Sequence, residues 1–453
     1  MMTTPAFRRC ATALAAFASL ALVGCDTIDE LLEANNPAQI REDQLDDETL
    51  VGVLVNSVIG SLSGMYTGYI IRSSVFTDEM LYGINDEQSA RLNQRIVRFD
   101  EGSAAGAFSA VSRLRFIGDS VTGRLKNLLP RLNPPADPTK DRRVALTLAY
   151  AGYGYLLTGE QECEASINVG DKLYTPKELG EMAIGRFEEA ITVASAAGPS
   201  AADVLNLART GLARAGLLAG QPAKAMAAAA NVPANFVWWV EYKDQISNMG
   251  LVGNVTGANH NLGVGIKFLN GTYPNQNLVS TQTDPRIQHN PNWRLGHNQL
   301  TRLYTPYQSL PYSGYNGQTQ SNGGKPILYA NDTDIKLASG VEAWHHYYEA
   351  AGPNGTGPAG TTLQFVNSRR AFGNQSQVNL SGAELMAELR EQRGKDFFLG
   401  GFRLGDLRRW KANGVGDFFP TGIHPNTQWG PYGDATCFPV PDDEYEGNPN
   451  LRR

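Results

Sequence analysis

The chain has no stretch that carries a catalytic fingerprint. GxSxG, HExxH, the phosphate-binding P-loop and the Rossmann glycine pattern are all missing from its 453 residues. Acidic pairs such as Glu188-Glu189 and Asp442-Asp443 are merely adjacent along the chain. That says nothing of the ~5–10 Å carboxylate pair a glycosidase uses. The expectation is a binding protein, not an enzyme, with no cofactor and no metal. His345 and His346 are neighbours, so on a helix they point about 100° apart and cannot share one ion from one face. Basic excess is missing too: the formal charge is −6, which excludes the footprint of a nucleic-acid binder. Charge as a whole is scarce at 19%, and from Gln245 to Thr333 only seven of 89 residues carry any. Cysteine is limited to four positions.

What is present begins with a targeting pattern. Residues 1–24 read as a secretory signal: Arg8 and Arg9, then an apolar run from Ala11 to Val23. That run falls short of the ~20 residues a membrane-spanning helix needs. It ends Leu22-Val23-Gly24-Cys25, which resembles a bacterial lipobox, so Cys25 is the expected lipid-bearing residue; an ordinary signal with Cys25 free is the alternative. Residues 25–48, acidic and poor in aromatics, read as a solvated tether. Loss of Cys10 with the signal and lipidation of Cys25 leave Cys163 and Cys437 in an oxidising compartment. A Cys163–Cys437 disulfide is expected, against the alternative of two buried thiols.

Helical spacing dominates from 49 to 235. Leu50, Leu54, Val58, Leu62, Met65 and Tyr69 form one stripe, and a second helix is expected over about 107–129. Further helices are expected over 142–158, 177–195, 202–219 and 223–231. Ser200 to Pro233 covers 34 positions, the tetratricopeptide period, with Gly220-Gln221-Pro222 as its turn. Small residues at Ala208, Gly211, Ala215, Ala219 and Ala225 permit close helix approach. Helical order is expected again from Ile335 through Glu349.

Between them, residues 236–333 lose helical periodicity and gain asparagine and scattered aromatics, the composition of an irregular insertion. Its chemistry suits an uncharged polyhydroxylated ligand: aromatic faces stack on pyranose rings, and amides exchange hydrogen bonds with hydroxyls. Trp293, Tyr304, Tyr307, Tyr312 and Tyr315 are the candidate contacts, with Trp238 and Trp239 behind them. Roughly half of these aromatics are expected instead to pack the insertion onto the helices.

The stretch Glu384–Trp410 pairs an amphipathic helix with a Gly400-Gly401 break and a second short segment. Glu388, Leu389, Arg390, Arg393, Phe398, Gly401, Arg403, Asp406, Leu407, Arg409 and Trp410 stand where the SusD/RagB family typically reads E-L-R-x-E-R-R-x-E-L-x-x-E-G-x-R-x-x-D-L-x-R-W. The match departs at Gly394, Lys395 and Gly400. Cys437–Leu451 resembles that family's closing segment, and 335–349 with 363–369 resembles its preceding helix pair. The resemblance implies an all-α fold, a tetratricopeptide-like helical repeat scaffold (49–235) with a large loop-rich insertion (236–333) and a C-terminal helical pair with closing segment (334–453). It implies an outer-membrane, cell-surface lipoprotein that captures oligosaccharide or another nutrient as the lid of a TonB-dependent SusC-like transporter. It also places the polar loop Thr77–Asp100 beside the ligand, adding Tyr82 and Arg91 to the candidates. Capture of peptides, or a tetratricopeptide adaptor with no small ligand, are the competing readings.

Overall fold

Gly118 of one helix meets Ala151 of another so closely that an added Cβ would lie 2.9 Å from its Cα, and Gly154 meets Arg115 at 2.6 Å. Such contacts set how the helices pack. The computed structural model describes residues 42–242, 262–269, 279–287, 289–306, 312–313, 319–320 and 334–451. Residues 42–50 form two short 3-10 turns in a unit of their own. The body starts at α1 (Val51–Val75), followed by α2 (Glu87–Asn93), α3 (Gly102–Leu128), α4 (Arg142–Gln161) and α5 (Pro176–Ala197). Then come α6 (Ala202–Leu218) and α7 (Pro222–Ala229). The stretch Glu48–Val75 is long and apolar enough to cross a membrane by length and composition. Within α1, however, Val58, Tyr66, Tyr69 and Ile70 are fully buried, and α3 and α4 pack on the helix. It is a core helix.

α4 is buried from Val144 to Gln161, the pattern of a helix surrounded by others. It lies between α3 and α5, and α5 packs in turn on α6. Phe187 fills the space opened by Gly152 and Gly211, where added Cβ atoms would come within 2.8 and 2.4 Å of its ring. The repeat pair read from Ser200 to Pro233 forms as α6 and α7, closed by Gly220 at φ 70° and started again by Pro222. A capping box between Thr175 and Glu178 starts α5.

The C-terminal helices are α8 (Gly340–Ala351), α9 (Thr362–Phe372), α10 (Gly382–Asp396), α11 (Arg403–Ala412) and the short α12 (Asp442–Gly447). The helix expected from Ile335 is corrected by the structure. Residues Ile335–Ser339 form a strand, paired antiparallel with Val237–Val240, and the helix begins only at Gly340. Lys336 faces outward between buried Ile335 and Leu337, the alternation of a strand, and Ser339 caps the helix by accepting the Glu342 N–H. Trp238 and Trp239 accordingly sit on the strand paired with Ile335–Ser339.

The insertion interlocks with both flanking regions. Strand Met80–Tyr82 pairs with Leu262–Val264, and Val237–Val240 with Ile335–Ser339. From Val51 onward the chain groups as one compact unit. Cys163 and Cys437 are joined in a disulfide, their Cα atoms 5.0 Å apart across 274 residues of sequence. Backbone bonds from Cys163 N–H to Phe438 O (2.8 Å) and from Phe438 N–H to Gln161 O (3.0 Å) flank it. Phe438 is buried against Phe76.

Candidate functional site

The residues of the C-terminal signature turn inward. Arg393 donates to Asp406 at 2.7 Å, and Arg409 donates to Asp406 (2.9 Å) and to both oxygens of Glu349 (2.9 and 3.0 Å). Trp410 Nε1 donates to Glu349 at 3.0 Å, and Arg403 forms a two-bond pair with Asp78 at 2.6 Å. Burial alone would raise the Asp406 carboxyl; Arg393 and Arg409 outweigh it and hold the group at about 2. Below this set lies a second one. Arg214 grips Glu160 through two bonds (2.7 and 2.5 Å), and Tyr69 donates to the same carboxylate at 3.0 Å. Glu342, 4.0 Å from Arg214, is pushed up to about 8 by burial, which Arg214 and Arg393 only partly offset. The two histidines point to separate partners: His345 Nε2 bonds Asp396 at 2.7 Å, and His346 faces Glu342 at 3.4 Å. Both rings are fully buried and both are held below the ordinary histidine range by that burial. Among the described residues no group of three or more metal-ligating side chains is placed to hold an ion.

Arg286 ties the insertion to this frame. Arg286 bonds Asp284 (2.6 Å), Asp396 (3.0 Å) and Gln392 (2.9 Å), and Gln282 donates to Phe268 O at 2.6 Å. Asp396 also accepts from Arg369 at 2.7 Å. Burial opposes the Asp396 charge, but His345 and Arg369 hold the carboxyl well below its ordinary range.

Above that anchor stands the hairpin 293–303. Arg294 pairs with Leu303 and Leu295 with Arg302, joined by a tight turn in which Gly296 N–H donates to Thr301 O at 2.8 Å. The Asn298 side chain accepts from the N–H groups of Leu300 and Thr301, both at 3.0 Å, and Gln299 takes φ 57°. The hairpin leans on the first loop: Asn298 N–H donates to Gly83 O at 3.0 Å, and a Cβ on Gly296 would lie 2.7 Å from the Gly83 Cα. Asn426 donates to Thr301 Oγ1 at 3.2 Å, so the segment 419–433 forms a third wall.

The candidate residues separate on this scaffold. Trp293 is half-buried at the hairpin's start, backed by the cluster of Val264, Phe268, Leu269, Ile287 and Tyr304, with Arg302 4.9 Å from its ring centroid. Tyr304 is only 2% exposed and lies edge-on to His289, and Tyr82 is likewise buried, with its backbone N–H donating to Asn93 at 2.9 Å. Tyr304 belongs to the packing behind Trp293, and neither tyrosine presents an open ring face to solvent. Burial pushes the Tyr82 phenol up to about 12. Arg91 is engaged by Glu87 and, at 2.7 Å, by Glu101. Tyr312 lies on strand Tyr312–Ser313, paired with Thr319–Gln320, and its side chain is outside the described residues, as are Tyr307, Tyr315 and Cys25. Trp239 is 47% exposed, with Lys336 5.9 Å from its ring, while Trp238 donates to the Tyr150 hydroxyl at 3.1 Å.

Sequence reasoning passed over the hairpin's own tip. Leu295 and Leu300 (49%) are exposed, as are His297 and Gln299 beside them. The run Gly296-His297-Asn298-Gln299, separated from Trp293 by Arg294 and Leu295, was the available signal, since an Asn before an αL-tolerant position marks a turn. Together these groups offer an aromatic edge, two apolar side chains and amides, with no carboxylate among them.

Paired antiparallel helices carrying an irregular insertion and a buried C-terminal charge frame define an all-α helical-repeat scaffold. Solved structures share it. A SusD superfamily protein from Bacteroides fragilis superposes at a TM-score of 0.61 with 12% identity, covering 90% of this chain and 99% of its own. One from Parabacteroides distasonis gives 0.61 at 12%, covering 91% and 99%. A SusD-like carbohydrate binding protein from Bacteroides fragilis gives 0.61 at 13%, covering 90% and 99%. The chain therefore has the SusD-like fold. No protein-family profile and no curated protein matches it.

Proposed function

We propose that the protein captures oligosaccharide at the outer cell surface, anchored through lipid on Cys25, and delivers it as the lid of a TonB-dependent SusC-like transporter. No bond is broken in this role. The observation that carries the reading is the hairpin 293–303: a partly exposed Trp293 with amide and apolar neighbours, on a base fixed by Arg286 and by Gly83. Its rigid seat lowers the ordering that binding requires. The uncharged composition of residues 245–333 favours neutral hydroxyls over the charged termini of peptides. Tyr307, Tyr312 and Tyr315 would extend the same face. The name carried by a similarly folded carbohydrate binding protein points the same way.

Calorimetric titration of the chain from Asp26 onward, against neutral oligosaccharides and short peptides, tests the reading. Saturable binding of one glycan class, lost in Trp293→Ala, is the expected result. Binding of peptides alone would replace the ligand class, and binding of nothing in either panel would favour an adaptor.

A further inference from the structure

A cleft with no residue of the hairpin in its lining lies between α10, α11 and the segment after α1. It encloses about 650 Å³, and its lining includes Asp78, Lys267, Glu384, Arg390, Trp410 and Phe418. A smaller hollow of about 280 Å³ shares Asp78, Lys267 and Phe418 with it, so the two adjoin. Lys267 belongs to the insertion, which places this cleft at the insertion's base.

Most of its charges are already matched. Asp78 is held by Arg403 through two bonds of 2.6 Å, and Lys267 pairs with Glu391 at 2.8 Å. Glu388 is bound by Arg370. Arg390 differs: among the described residues it forms no ion pair and no hydrogen bond. Its guanidinium lies 5.9 Å from the Trp410 ring centroid and 5.7 Å from that of Phe418. Burial holds its pKa below the ordinary arginine range, and the charge of Glu349 offsets this only in part. An arginine held near rings without a hydrogen-bond partner keeps N–H groups available, and its planar fork fits a carboxylate through two parallel bonds. Phe418, 40% exposed, offers a face for a sugar ring beside it. Glu384, exposed on the same helix, would repel a ligand carrying many negative charges.

We infer that this cleft binds an oligosaccharide bearing a single carboxylate, a hexuronate, with the carboxylate on Arg390 and the ring against Phe418. The inference rests on the glycan-capture reading and adds to it a cleft selective for acidic glycans.

The test compares a neutral linear trisaccharide with the same trisaccharide ending in glucuronate, titrated into the wild type and into Arg390→Gln, Arg390→Lys and Glu384→Gln. A charge-assisted pair predicts that the acidic ligand binds about ten-fold or more tightly than the neutral one. That margin should vanish in Arg390→Gln, survive in part in Arg390→Lys and shrink with added salt. Glu384→Gln should widen it with neutral binding unchanged, which serves if Arg390→Gln does not fold. Equal affinity for both ligands in the wild type, or no response to Glu384→Gln, overturns the acidic site and leaves neutral capture standing. Failure of both glycans to bind overturns the capture reading together with it.

Discussion

The C-terminal signature and the hairpin 293–303 use polar groups in opposite ways. In the signature, Arg393, Arg409, Arg403 and Asp406 are buried and spent on one another, on Glu349 and on Asp78. In the hairpin, His297 and Gln299 remain exposed, and Asn298 folds the turn that displays them. These four recognisable residues thus build the frame, and the proposed neutral-glycan contacts stand where composition has no fixed pattern. Buried arginine–carboxylate sets depend on full pairing, so a change to one member reaches the whole scaffold. An exposed turn can vary without that consequence.

Breaking the frame should give the largest effect. Asp406→Ala leaves the Arg393 and Arg409 guanidinium groups buried without their shared carboxylate, a loss of about 3–5 kcal/mol in denaturant unfolding. Glycan affinity of the fraction that folds should stay at the wild-type value. Overpacking the repeat comes next. Gly211→Ala sets a methyl against the Phe187 ring, 2.4 Å from the nearest atom, and should cost about 1–3 kcal/mol with binding unchanged.

A smaller effect sharpens the contrast by pH. Burial raises Glu79 to about 7, Glu162 to about 8 and Glu342 to about 8, against an ordinary value of 4.5. The unfolded chain releases these protons near 4.5, whereas the native chain keeps them until pH 7–8. Each of the three therefore makes folding less favourable as pH rises through that interval. The buried histidines act in the reverse sense, but only below their ordinary 6.5. Between about pH 6.5 and 8 the melting temperature should fall with rising pH, and Glu162→Gln should flatten that slope. A melting temperature that climbs across the window would show that these carboxyls are ionised in the native state.

How far the sequence could be read followed from the range of the interactions involved. The pair α6 and α7 was legible because its turn carries Gly220 and Pro222, which punctuate helices locally. Ile335–Ser339 was not: five residues suit a strand or a helix start, and the choice fell to pairing with Val237–Val240, about a hundred positions earlier. Tyr82 and Tyr304 read as ligand aromatics because an exposed ring and a core ring have the same letter. Only the packing of Tyr304 under Trp293 and against His289 separates them. The signature's residues were recognisable, yet their partners were not, since Arg403 meets Asp78 across 325 positions.

The affinity of folded Trp293→Ala for a neutral oligosaccharide that the wild type binds tests this division of labour most directly. The account predicts that binding is lost while the circular-dichroism spectrum and the cooperative unfolding transition persist. Undiminished affinity in that variant would contradict it and move the ligand site off the hairpin.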